Sequence, residues 1–137
     1  MNTTEVRSST LIGRVVTGIG QGKFLTQLEW ARRQFVDKLD IDPYPGTLNL
    51  IVDEPTSVEI WNCLRETSGV RIDNPNDGPN DCDARCYPVS IHPGIDAAIV
   101  LPELSAYSPV QIEIIAVDGL RGRLGIHDGD SLMLVLK

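Results

Sequence analysis

The chain has 137 residues, 42% hydrophobic and 23% charged, which suits one domain with a substantial apolar core. Its formal charge of -7 argues against a binder of nucleic-acid backbones, which needs a basic face, but not against a small anionic ligand held by backbone N–H groups or a metal. No apolar run is long enough to span a bilayer. The odd cysteine count (Cys63, Cys82, Cys86) argues against a disulfide framework, so reduced thiols are expected.

The first ten residues, MNTTEVRSST, contain no apolar signal region. They read as a short flexible lead to a single domain over residues 11–137, with a cytoplasmic address. LIGRVV, rich in β-branched residues, predicts a strand that runs into the glycine-rich TGIGQGKFL. TQLEWARRQFVDKLD predicts a helix. Thr26 and Glu29 have capping-box spacing, Leu28, Ala31, Phe35 and Leu39 share a face, and Pro43 and Pro45 prevent continuation.

TLNLIV predicts the next strand. A second capping-box spacing, Thr56 and Glu59, predicts a short helix carrying Val58, Trp61 and Leu64. RIDNPNDGPNDCDARC, full of Asn, Asp, Gly and Pro, reads as a surface loop or hairpin excursion. Cys82, Cys86 and His92 do not complete a four-ligand zinc set. AAIVL reads as a buried strand, VQIEIIAV as an alternating one, GLRGRLG as a short helical turn, and HDGDSLMLVLK as a turn and terminal strand. Several short strands with one clear helix point to a mainly β protein, a small barrel with a helical insertion.

Thr47 and Asn49, two apart in a strand, project to one side, while Leu48 and Leu50 turn into the core. A hydroxyl and an amide carbonyl side by side can serve magnesium, which takes a few protein oxygens plus substrate phosphates. A polar strand face meeting water is the plainer reading of the spacing. The loop Gly18-Ile19-Gly20-Gln21-Gly22-Lys23 fits neither the Walker nor the dinucleotide spacing, so it is a glycine-rich turn or an anion cradle. Glu113, on the polar side of an apolar strand, is either a solvated edge residue or a group that meets a ligand hydroxyl. Arg121 follows a turn and is a candidate nucleotide contact. His92 and His127 have no partner that makes either a catalytic base, and no Ser-His-Asp or Cys-His arrangement is evident.

Taken in order, GRVVTGIGQGKFL, PYPGTLNL and AAIVLPELSAYSPVQIEIIAVDGLRGRLGIHDGDSLML resemble the motifs of the CTP-dependent riboflavin kinases, best known from archaea. The resemblance runs from Leu11 to Leu136 and is weakest from Asp53 to Ser90. It implies a six-stranded cradle-loop β-barrel with one or two short helices. It also implies phosphoryl transfer from CTP to the 5′-hydroxyl of riboflavin, giving FMN and CDP. By the same resemblance Thr47 and Asn49 bind Mg2+. Gly18, Ile19, Gly20, Gln21, Gly22 and Lys23 hold the nucleotide together with Asp118, Gly119, Leu120 and Arg121. Ser105 and Glu113 meet the flavin, with Glu113 also a candidate general base. The implied partners are these small molecules, with no nucleic acid, membrane or obligate protein partner.

The sequence departs from the family pattern at Gln21, where an acidic residue is common, at Ser105 in place of Thr, and at Leu101 and Leu104, where basic residues are frequent. These departures leave a non-catalytic flavin- or nucleotide-binding barrel as the alternative. A remoter reading, a swapped-hairpin DNA-binding barrel suggested by the terminal GIHDGDSLMLVL, is opposed by the net charge.

Overall fold

The computed structural model describes residues 9–18, 22–76, 78, 81–104 and 107–137, with the side chains of 22–24 excepted. Among them lie seven strands: β1 (Thr10–Val16), β2 (Leu48–Ile51), β3 (Val70–Ile72), β4 (Ala84–Ile91), β5 (Ile95–Pro102), β6 (Gln111–Ala116) and β7 (Ser131–Leu136). Every ladder is antiparallel, in the order β3-β4-β5-β6-β2-β1-β7. The terminal strand β7 pairs with β1 and also with β4 through Val89–Leu136 and Ser90–Val135. That second pairing closes a six-stranded barrel and leaves β3 outside it, hydrogen-bonded to β4 alone. Closure satisfies strand edges that would otherwise present unpaired N–H and C=O groups. The expected barrel is therefore the observed one.

Strand alternation divides the apolar residues into two cores. One, in the barrel, gathers Leu48 and Leu50 of β2, Ile99 of β5, Ile112 and Ile114 of β6, and Leu134 of β7. The other lies on the opposite face of β4, β5 and β6, where Cys86, Ala98, Val100 and Ile115 meet Phe35 and Ala31 of the helix α1 (Glu29–Leu39). Both faces of β5 are thereby buried, which accounts for its unbroken apolar run. All three cysteines are free thiols. Burial pushes that of Cys86 up to about 12. No helix among the described residues is long and apolar enough to cross a membrane.

Local helix signals are corrected by the structure. Thr26 does not cap α1. It lies in a preceding 3-10 helix, Gly22–Gln27, and α1 begins after Leu28 without a side-chain cap. The Thr26 hydroxyl instead accepts the N–H of Gly46, 2.9 Å away. Likewise Thr56 does not cap α2 (Pro55–Arg65). The Glu54 carboxylate does so, accepting from the N–H groups of Thr56 at 2.8 Å and Ser57 at 3.1 Å. Those bonds, that to Thr56 foremost, hold its carboxyl below the usual range. The α2 residue Trp61 enters the barrel core and meets Tyr87 edge to face, with centroids 5.9 Å apart. β4 carries no clear sequence signal because Pro88 interrupts it, lacking the N–H that a ladder uses.

Phe35 is wholly buried, whereas Leu28 on the same expected face is 40% exposed. Phe35→Ala should therefore cost about 3–5 kcal/mol and Leu28→Ala less than about 0.5 kcal/mol. The check is a shifted denaturant midpoint at unchanged slope.

Candidate functional site

The site starts at the Pro45–Gly46 corner. Gly46 has φ +107°, a conformation that L side chains rarely adopt, and its N–H is fixed by the buried Thr26 hydroxyl. The corner sets Thr47 at the mouth of β2. In β2 the side chain of Asn49, 7% exposed, turns away from the lumen that takes Leu48 and Leu50. Asn49 stands opposite Glu113 of β6 on one side and Val16 of β1 on the other. Gly18 passes so close that a Cβ there would lie 3.1 Å from Asn49 Cγ, so a larger residue would require the Asn49 side chain to shift.

Glu113 is not a solvated edge residue; its relative exposure is 0%. Thr47 Oγ1 donates to its Oε1 at 2.8 Å and the Tyr107 hydroxyl donates to its Oε2 at 2.6 Å. A carboxylate withdrawn from water without such donors is severely penalised, so these hydroxyls make the burial tenable. Burial first, and then the bond to Glu113, push the Tyr107 phenol well above its ordinary value and keep it a protonated donor. Beside the pair, Gln111 Nε2 donates to Asn49 Oδ1 at 3.0 Å.

This arrangement fits a hard cation. The one hydroxyl proton of Thr47 goes to Glu113, which leaves the lone pairs of Oγ1 as acceptors and makes that oxygen more basic. Asn49 Oδ1 retains a second lone pair beyond the bond from Gln111. No cluster of three or more His, Cys, Asp or Glu residues able to hold a metal occurs among the described residues. Neutral oxygens supplemented by phosphates are a donor set magnesium accepts.

Thr47 also lines a cavity of about 390 Å3, together with Tyr44, Gly46, Asp118, Gly119 and Arg121. The structure thus brings the expected metal residue and the expected nucleotide segment to one place. That segment opens α3 (Leu120–Leu124), whose Leu120 side chain is buried in the barrel core. The Tyr44 ring lies over Gly119, and Asp118 forms an ion pair with Arg123. Arg121 Nη2 donates to Asp128 Oδ1 at 2.6 Å and to the Val16 carbonyl at 3.3 Å, and Thr17 Oγ1 donates to the other Asp128 oxygen at 2.6 Å. The end of β1, the turn before β7 and α3 are tied together there. Ile19, Gly20, Gln21 and Ser105 lie outside the described residues, as do the side chains of Gly22 and Lys23.

Tyr107, Gln111, Thr17 and Asp128 are site residues that sequence reasoning did not single out. Gln111 had a signal, being two residues before Glu113 and so on the same strand face. Thr17 and Asp128 are 111 positions apart, and no local pattern links them.

The Asp128 carboxyl is held below its ordinary range, first by the Thr17 hydroxyl and then by Arg121. A lowered folded-state value favours the ionised form. The resulting stability is complete above the unfolded value of about 3.9 and is lost as pH falls through the lower folded value. The Tm difference between the parent chain and Asp128→Asn should accordingly hold steady from about pH 8 to about pH 5 and shrink below about pH 4.

Comparison with known proteins bears on this geometry. The CTP-dep_RFKase family model, described as "Domain of unknown function DUF120", matches residues 15–136. The chain is 43% identical over 128 residues to a riboflavin kinase of Methanosarcina mazei, covering 93% of this chain and 56% of that protein. It is 42% identical over 125 residues to a riboflavin kinase of Methanocella arvoryzae, covering 91% and 56%. A riboflavin kinase of Ignicoccus hospitalis is 34% identical over 128 residues, covering 93% of this chain and 70% of that protein. The chain spans little more than half the length of the first two relatives. A family match over nearly all of the barrel, with this degree of identity, establishes that the chain belongs to the CTP-dependent riboflavin kinase family.

Proposed function

We propose that this barrel is a riboflavin kinase that transfers the γ-phosphoryl group of CTP to the ribityl 5′-hydroxyl of riboflavin, giving FMN and CDP. The observation that carries the reading is the position of Thr47. Its side chain lines the cavity shared with Asp118 to Arg121 while its hydroxyl is held by the buried Glu113. Phosphoryl transfer asks a protein mainly for positioning and charge neutralisation, and this is a positioned oxygen beside a cationic side chain.

In this reading Thr47 Oγ1 and Asn49 Oδ1 hold Mg2+, which neutralises donor phosphate charge when bound. Glu113 orients Thr47 by taking its proton in a hydrogen bond, and Gln111 orients Asn49. Arg121, aligned by Asp128, contributes positive charge on the nucleotide side. The segment from Gly18 to Lys23 supplies further nucleotide contacts. Ser105 and Glu113 orient the flavin. Both Glu113 oxygens already accept hydroxyl protons, which favours a positioning role over that of general base.

The direct test is incubation with riboflavin and Mg2+, with CTP, ATP, UTP or GTP supplied separately and the flavin products resolved by chromatography. FMN formed chiefly with CTP is the expected result. Quenching of flavin fluorescence without FMN from any donor would instead make the chain a non-catalytic flavin binder.

Asn49→Ala should lower turnover by about 100-fold or more through misplaced phosphates, while riboflavin binding without metal persists. Glu113→Gln preserves shape and can still accept from one hydroxyl. If Glu113 were the general base, turnover would fall by about 10²–10⁴-fold with little change in nucleotide affinity. The positioning role predicts a smaller loss accompanied by weaker binding of the Mg2+-nucleotide.

A further inference from the structure

Glu113 receives the Thr47 hydroxyl on Oε1 at 2.8 Å and the Tyr107 hydroxyl on Oε2 at 2.6 Å. The two donors face different spaces. Thr47 lines the 390 Å3 cavity described above, whereas Tyr107 lines a second one of about 330 Å3 with Arg85, Leu101 and Leu104. Tyr107 thus meets the carboxylate on the oxygen that Thr47 does not use.

The last torsion of a glutamate joins a tetrahedral to a planar carbon and has a broad, two-fold preference. Rotamers therefore leave the carboxylate plane loose, and hydrogen bonds decide it. With Oε2 engaged by Tyr107, Oε1 is turned toward Thr47. The Thr47 hydroxyl has a single proton, so the direction of that proton decides where its lone pairs point. Tyr107 is a firm anchor for this purpose. Its ring packs against the barrel core, its N–H donates to the Leu104 carbonyl at 3.0 Å, and the Leu104 N–H donates to the Pro102 carbonyl at 2.9 Å. The connection between β5 and β6 thus places this hydroxyl, separately from the corner that places Thr47.

We infer that Tyr107 is a positioning residue for the metal–nucleotide site: through Glu113 it orients the Thr47 hydroxyl so that the lone pairs of Oγ1 face the cation. The inference rests on the riboflavin kinase reading, which puts Mg2+ at Thr47 and Asn49. A tyrosine that only satisfied a buried carboxylate would add stability and have no effect specific to the metal.

Calorimetric titration with CTP, in Mg2+ and in EDTA, separates the two roles. The ratio of the two affinities is the gain that the metal confers. Tyr107→Phe keeps the ring and should lower that gain about five-fold or more, with CTP affinity in EDTA unchanged. The effect should disappear in a Thr47→Val background, because the path runs through the Thr47 hydroxyl. An undiminished gain in folded Tyr107→Phe, or an equal fall in both affinities, would overturn the positioning role and leave the kinase reading intact. A parent chain that gains nothing from Mg2+ would overturn both. A second measurement covers the case in which Tyr107→Phe does not fold. The parent chain is labelled with 13C at the tyrosine Cζ, and the Tyr107 resonance is assigned by the losses in Tyr44→Phe and Tyr87→Phe. That resonance should move when Mg2+ is added to the CTP complex, and a resonance that stays in place would overturn the role.

Discussion

The site depends on one register, that of β2 against β6, which sets Asn49 opposite Glu113. Side chains alternate between the faces of a strand, so a slip of one residue would exchange the two sets. Leu48 and Leu50 would leave the lumen, and Asn49 would enter it. The apolar packing of Leu48, Leu50, Ile112 and Ile114 therefore also holds the polar residues in place. Core and site are the two faces of the same strands.

A second constraint is the withdrawal of Glu113 from water. Its burial is tenable because two hydroxyls arrive from different parts of the chain, Thr47 from the Pro45–Gly46 corner and Tyr107 from the connection between β5 and β6. Each donor is tied elsewhere. Thr47 follows a glycine whose N–H is held by Thr26, and the Tyr107 N–H donates to the Leu104 carbonyl at 3.0 Å. The carboxylate thus works as a junction, and its protein ligands reach toward two cavities. Such a junction is rigid because a buried acceptor left without its donors is costly.

The proposed nucleotide side is built differently. Thr17, Arg121 and Asp128 are exposed, and their contacts are screened by water, so each contributes little stability. Their value is geometric. They join the end of β1, α3 and the turn before β7, whose backbone is also pinned by the bonds Val15 N–H to Asp130 and Gly129 N–H to Val15, both 2.8 Å. A surface network of this kind orients a cation without committing it to the core, which leaves Arg121 accessible to an anion.

Much was legible in the residues themselves. The alternation in TLNLIV and VQIEIIAV marked β2 and β6, and the same-side projection of Thr47 and Asn49 followed from a period of two. The resemblance to the CTP-dependent riboflavin kinases pointed to the six-stranded barrel and to the Asp118–Arg121 segment. Other features lay beyond local reading. β4 was hidden by Pro88, and the spacing of Thr26 and Glu29 suggested a cap, whereas Thr26 lies in the preceding 3-10 helix and its buried hydroxyl accepts the Gly46 N–H. Burial of Glu113, its bond to Tyr107, and the meeting of Thr17 with Asp128 were decided by strand pairing and barrel closure. The sequence by itself determined which faces are apolar and which segments are strands, since these follow from side-chain periodicity. Only the tertiary structure decided which polar groups share a partner, because hydrogen bonds join residues that the closed barrel brings together from distant parts of the chain.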